Sequence, residues 1–178
     1  MRKLKNEELG RPDLEAYKKQ PKYPLVVILD NIRSQNNTGS VFRTSDAFLV
    51  EKIILCGFTA TPPHREIHKT ALGATDAVAW EYQEETIVAV KKLQAKGYKV
   101  FAIEQTEESI DLASFSIAQG DHIAIVLGNE IKGVSQEVVD ACDGSIELAQ
   151  YGTKHSLNIS VCAGIVIYQL FHKMKSTP

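Results

Sequence analysis

Five short, almost unbroken apolar runs recur along the chain, and no other feature restricts its fold as strongly. Residues 25–30 (Leu-Val-Val-Ile-Leu-Asp), 53–56, 99–103, 123–127 and 145–149 are each four to six residues long. A strand with one wet face alternates apolar and polar residues, whereas a continuous run suits a strand covered on both faces, as in parallel sheets. Residues 77–82, around the lone Trp80, form a weaker sixth candidate. Helical patterns lie between these runs. Residues 86–95 carry Ile87, Val90 and Leu93 at helical spacing and stop at Lys96-Gly97, residues 136–141 form a shorter pattern, and another helix starts near Thr38. The alternation predicts an α/β fold, a mostly parallel sheet with helices on both faces. The last segment, residues 157–173, is apolar nearly all round, so it either crosses the core or buries its second face on another subunit.

Composition removes several classes. No apolar run is long enough to cross a membrane. Met1-Arg2-Lys3-Leu4-Lys5 leads into acidic and polar residues without the core of a secretory signal, so a cytoplasmic location is expected. Cys56, Cys142 and Cys162 are odd in number and widely spaced, which predicts neither a disulfide framework nor a metal site. The net charge of −2 hides an asymmetry: residues 1–22 hold seven Lys/Arg against four Asp/Glu, and the remainder thirteen against eighteen. Such basic ends either hold phosphates or are solvated.

Ligands of open α/β sheets collect where strands give way to loops, and three polar clusters follow predicted strands. The first runs over residues 30–44 and contains Arg33, Asn36, Asn37, Thr38, Gly39 and Arg43. Its amides and hydroxyls suit a helix start, whose free donors also attract anions. Gly39 would let a substrate backbone approach, and Arg43 is either a phosphate clamp or a surface arginine. The second cluster is Leu127-Gly128-Asn129-Glu130-Ile131-Lys132-Gly133-Val134-Ser135, a loop with two glycines and a carboxylate. It lacks the spacing of a triphosphate-binding loop. The third, residues 148–161, includes Leu148, Gln150, Lys154, His155, Ser156, Leu157 and Asn158. Ser156 reads as an N-cap, and Asn158 needs a partner if buried.

Together and in order, the clusters resemble the three motifs of the SpoU, or TrmH, family of RNA ribose methyltransferases. Asn37-Thr38-Gly39 with Arg43-Thr44 is similar to the first, Leu127-Gly128-Asn129-Glu130 with Gly133 to the second, and Gly152 with Ser156-Leu157-Asn158-Ile159-Ser160-Val161 to the third. The chain departs from the pattern at Ile131, where many relatives have glycine, and at Leu148-Ala149-Gln150, where Ile-Pro-Met is usual. The resemblance implies a SPOUT-type domain over residues 23–178 with a trefoil knot near its C-terminus. Residues 1–22 would be a helical N-terminal extension whose Leu4, Leu9, Leu14 and Tyr17 dock on the body or reach toward RNA.

It further implies a homodimer, methyl transfer from S-adenosylmethionine to a ribose 2′-hydroxyl, and tRNA or rRNA as partner, while the short domain itself favours tRNA. By the same resemblance Leu127, Gly128, Asn129, Leu148, Gln150, Ser156 and Leu157 hold the cofactor, and Arg33, Arg43, Lys154 and His155 contact RNA. Arg43, Asn37, Glu130, Ser156 and Asn158 would form the catalytic group, with Glu130 orienting Arg43 through a charge-assisted hydrogen bond. Two alternatives stand beside this one. A non-catalytic RNA-binding or ribosome-assembly protein would share the fold, and a dehydrogenase would need a Gly-x-Gly-x-x-Gly turn, which the first cluster lacks.

Overall fold

The computed structural model describes residues 1–154 and 156–176, and of Asn6 the backbone only. Seven strands, β1 (Tyr23–Asp30), β2 (Val50–Cys56), β3 (Ala79–Gln83), β4 (Tyr98–Ile103), β5 (Ile110–Asp111), β6 (His122–Leu127) and β7 (Gly144–Glu147), form one sheet in the order β3-β2-β1-β6-β4-β7-β5. Every pairing among them is parallel. β1 lies between β2 and β6, with Val27 opposite both Ile53 and Ile125.

The apolar runs follow from two-sided burial. Leu25, Val27 and Leu29 point into one cluster with Val41 and Phe42 of α2 (Gln35–Ala47), Ile67 of α3 (Arg65–Ala71) and Ala163, Val166 and Leu170 of α7 (Ile159–Ser176). Val26 and Ile28 point the other way, onto Ala89, Val90 and Leu93 of α5 (Thr86–Gln94) and Val138 of α6 (Gln136–Ala141). Helices thus cover both faces, as the sequence pattern requires. Among the described residues, no helix is long and apolar enough to cross a membrane.

Three short elements escape the sequence pattern: β5, α3 and α4 (Ala74–Ala77). Each buries too few side chains to write a period; α3 buries Ile67 and Ala71, α4 only Ala74. Helix starts also differ from expectation. α2 begins at Gln35, where the Ser34 hydroxyl accepts the Asn37 N–H. Ser156 does not cap α7. Asn158 does, since its Oδ1 accepts the N–H groups of Ser160 and Val161 at 2.9 and 3.4 Å. In the N-terminal segment, α1 (Leu14–Lys19) is capped by Asp13, and Tyr17 is buried with its hydroxyl donating to the Asp46 carbonyl. Leu4, Leu9 and Leu14 remain exposed, so Tyr17 is the member of that expected apolar set that docks.

Gly39 serves packing rather than substrate approach. A Cβ there would stand 2.1 Å from Thr70 Oγ1 and 2.3 Å from the Ile67 carbonyl oxygen, because α3 crosses α2 at backbone contact. Gly39→Ala must push the two helices apart. Overpacking of this kind destabilises by about 1–3 kcal/mol. That corresponds to a fall of roughly 2–10 °C in Tm for a chain of this size. Thermal denaturation checks it, and an unchanged Tm would show that the contact yields freely.

Candidate functional site

A cleft of about 400 Å³ opens at the C-terminal ends of β4, β6 and β7. Its wall brings together all seven residues expected to hold a cofactor: Leu127, Gly128 and Asn129 after β6, Leu148 and Gln150 after β7, and Ser156 and Leu157 before α7. The structure adds Ile103, Glu104 and Gln105 from the exit of β4, and Cys162 from α7. Glu104 follows the 99–103 run directly, so applying the strand-exit rule to that run as well would have found it. The Cys162 thiol is pushed up to about 11, first by burial and then by the charge of Glu104, and it stays protonated at neutral pH.

The loop after β6 is built by its own polar groups. Asn129 and Gly133 exchange two backbone hydrogen bonds, at 3.0 and 2.8 Å. Asn129 Oδ1 accepts the N–H groups of Ile131 and Lys132, and its Nδ2 donates to the Asn31 carbonyl at 2.7 Å. Asn129 therefore lines the cleft while its polar atoms hold scaffold. Gly128 allows the loop to close, because a Cβ there would lie 2.2 Å from both the Gly133 carbonyl carbon and the Val134 nitrogen. Glu104 pins the far end of the loop by accepting the Val134 N–H at 3.0 Å.

Glu130 joins this loop to the first polar cluster. Its carboxylate accepts the backbone N–H groups of Arg33 and Ser34 at 3.0 and 3.1 Å and the Asn37 Nδ2 at 3.1 Å. Asn37 Oδ1 in turn accepts from Asn158 Nδ2 at 3.2 Å. A relay Glu130–Asn37–Asn158 thus connects all three clusters. Burial by itself would raise the Glu130 carboxyl. The donors from Arg33, from its own N–H, from Asn37 and from Ser34 outweigh burial and hold it below its ordinary value.

Within one chain Glu130 does not contact Arg43. Asn37 and Arg43 are six residues apart on one helix, a rotation that leaves them roughly 120° apart, so they cannot face one partner. Arg43 shares its face with Asn36 and Ser40 instead. It is exposed and lines a second cavity, of about 810 Å³, with Arg11, Tyr17, Asp46 and Leu72. Among the described residues it forms no ion pair or hydrogen bond, and it does not line its own chain's cleft. Arg33 and Lys154 are exposed, and Ser156 reaches the cleft wall. His155 lies outside the described residues.

Residues 24–168 match the model of the SpoU rRNA Methylase family. The chain is 30% identical over 149 residues to the tRNA (guanosine(18)-2′-O)-methyltransferase of Aquifex aeolicus, covering 82% of this chain and 67% of that protein. It is also 30% identical over 145 residues to an uncharacterized tRNA/rRNA methyltransferase of Archaeoglobus fulgidus, covering 82% and 63%. It spans about two thirds of the length of the curated relatives it matches. Among solved structures, the A. aeolicus TrmH/SpoU tRNA modifying enzyme superposes with a TM-score of 0.78 at 26% identity, covering 91% of this chain and 80% of the other. An AdoMet-bound rRNA methyltransferase from Sinorhizobium meliloti shares the fold at a TM-score of 0.76 and 24% identity, covering 89% and 59%.

The depressed Glu130 carboxyl has a defined pH signature. A group with a lowered folded-state pKa contributes stability that is full above its unfolded value, about 4.3 for glutamate. That contribution is lost as pH falls through the folded value. Glu130→Gln should therefore be less stable than wild type at pH 7, with the gap closing below about pH 4. Paired denaturant titrations across the acid range measure it. A gap independent of pH would mean that the ionised carboxylate is not what the α2 start requires.

Proposed function

The chain belongs to the SpoU rRNA methylase family, and from that premise we propose that it transfers a methyl group from S-adenosylmethionine to a ribose 2′-hydroxyl of RNA, with tRNA as the favoured substrate. The relay Glu130–Asn37–Asn158, which draws the three polar clusters to the rim of one cleft, carries the proposal. The cleft suits the cofactor: its volume is within the range for small-molecule sites. Ile103, Leu127, Leu148, Leu157 and Ile159 give an apolar wall for a base, and Glu104 and Glu147 place carboxylates near a cationic ligand. When bound, the cofactor supplies an electrophilic sulfonium methyl. The reading includes the knotted C-terminal path of the family, with the stretches after β6 and after β7 as its loops.

The chain's own residues then have two tasks. The cleft loops orient the methyl donor and exclude water. Arg43 binds the substrate phosphate and stabilises the developing alkoxide, while phosphate or water takes the proton, since a guanidinium is a cation with no free lone pair and a poor base. Because Arg43 faces away from its own cleft, the proposal places it at the cleft of a second protomer. One face of α7 supports a homodimer. Val161, Ile165 and Tyr168 are 50%, 43% and 49% exposed, and His172 continues the stripe at helical spacing. Phe48, at the C-terminal cap of α2, packs edge-on against Tyr168, so the stripe and the Arg43 helix are neighbours.

Incubation with labelled S-adenosylmethionine and total RNA from a strain lacking the gene tests the activity, and label absent from RNA would leave the non-catalytic RNA-binding alternative in its place. Arg43→Ala should bind S-adenosylhomocysteine as wild type does in calorimetry and transfer methyl at least ~100-fold more slowly, the size of losing one oxyanion donor. Mixing it with Ser156→Trp, which obstructs the cleft, should restore part of the activity; no restoration would place both functions in one chain. Tyr168→Glu should sediment as a monomer with little methyl transfer, and an active monomer would remove the dimer from the mechanism.

A further inference from the structure

Two large aromatic side chains stand exposed around the turn after β2: Phe58, 62% exposed, and Tyr82, 51% exposed. The turn that carries them is anchored on both sides. The Phe58 N–H donates to Asn31 Oδ1 at 3.2 Å, and Thr59 Oγ1 donates to the Leu29 carbonyl and accepts the Ile32 N–H. The Tyr82 hydroxyl donates to the Gly57 carbonyl at 3.0 Å. Isolated exposed apolar residues are ordinary. Here two rings are tied to one pinned turn, so they are held toward solvent by a preorganised backbone.

Their place along the sheet edge gives them a direction. The cofactor cleft occupies the exits of β4, β6 and β7, the next exit, of β1, carries Arg33, and the exits of β2 and β3 carry Phe58 and Tyr82. Neighbouring strands are about 4.8 Å apart, so Phe58 starts roughly 10 Å along the edge from the β6 exit. That is the rise of about three stacked nucleotides. The loops between are continuous: Asn129 donates to the Asn31 carbonyl, Glu130 accepts the Arg33 N–H, and Asn31 accepts the Phe58 N–H. Exposed Glu84 and Glu85 follow β3 and repel phosphates, which bounds the path there.

Resting on the RNA methyltransferase reading, we propose that Phe58, flanked by Tyr82, is a stacking platform for an unpaired RNA base near the modified ribose, with Arg33 on an intervening phosphate. Unstacked bases are recognised on aromatic side chains, and such stacking tolerates any base because each presents a π-face. The platform therefore holds the strand while base identity is read elsewhere.

Binding and steady-state kinetics with bulk tRNA, and separately with rRNA, test this. Phe58→Ala should raise the Kd and KM for RNA about 5- to 150-fold, the range for losing one stacked base. Its kcat at saturating RNA and its affinity for S-adenosylhomocysteine should match wild type. Phe58→Tyr and Phe58→Trp should restore binding, and Phe58→Leu, which keeps apolar bulk without a ring, should not. The salt dependence of binding should be unchanged in Phe58→Ala and reduced by about one in slope in Arg33→Ala. Wild-type affinity in Phe58→Ala or Phe58→Leu, or dissociation of a dimer by Phe58→Ala, overturns the platform while leaving RNA methylation intact. Wild-type protein that neither binds nor methylates RNA overturns both readings.

Discussion

The carboxylate of Glu130 sits over the start of α2, and the relation between the two halves of the sheet edge depends on it. The first turn of a helix leaves backbone N–H groups without intrahelical acceptors. The Ser34 hydroxyl takes only the Asn37 N–H, while the Arg33 and Ser34 amides before it are taken by a side chain 97 and 96 residues further along the chain. A negative charge is also favoured at this end of the helix. β1 and β6 are hydrogen-bonded neighbours, so the contact needs no distortion of the sheet. It fixes how the loop after β6 meets the loop after β1. The Asn129 bond to the Asn31 carbonyl repeats the tie one residue earlier.

With that relation fixed, the cleft separates construction from recognition. Asn129 and Glu104 line it, yet their hydrogen-bonding atoms secure the 129–134 loop. Among the described residues, the side chains of Gln150 and Ser156 make no hydrogen bond, and they line the same wall. Polar groups of this kind, beside backbone groups of a closed loop, are what a small ligand can reach without disturbing the scaffold. A loop tied by its own hydrogen bonds is also held in one shape, so the wall is formed before anything enters.

Much of this was legible in the residues, and the failures have physical causes. The parallel sheet could be read because strands covered on both faces cannot hide their apolar runs. The seven cofactor-wall candidates, assigned by the family resemblance, lie at two strand exits and a helix start, and the fold gathers them in one cleft. α3, α4 and β5 were not legible, since elements that bury two residues or fewer leave no period. Gly39 looks the same in sequence whether a ligand or a helix approaches it, and α3, which decides the matter, was itself invisible. Ser156 and Asn158 are both good caps by type; only the trajectory into α7 selects Asn158. The expected Glu130–Arg43 contact fails on helix geometry that the sequence already contained, because the loop donors of residues 33 and 34 are nearer to the carboxylate than a side chain two turns into α2.

That failure bears on the proposed organisation of catalysis. α2 holds Asn37 against Glu130 of its own cleft wall and turns Asn36, Ser40 and Arg43 to another side, so one helix presents two polar faces. An arginine turned from its own cofactor wall has no role in a single-chain reaction, yet the same arrangement becomes economical if two chains pair along α7. Each α2 would then brace its own cleft through the Glu130 relay and deliver its guanidinium to the other. Charge repulsion also favours the separation: a guanidinium held permanently inside the cofactor's own pocket would face a cationic sulfonium across a poorly solvated gap. Under the proposed reading it would come in with the phosphate of the RNA, already paired.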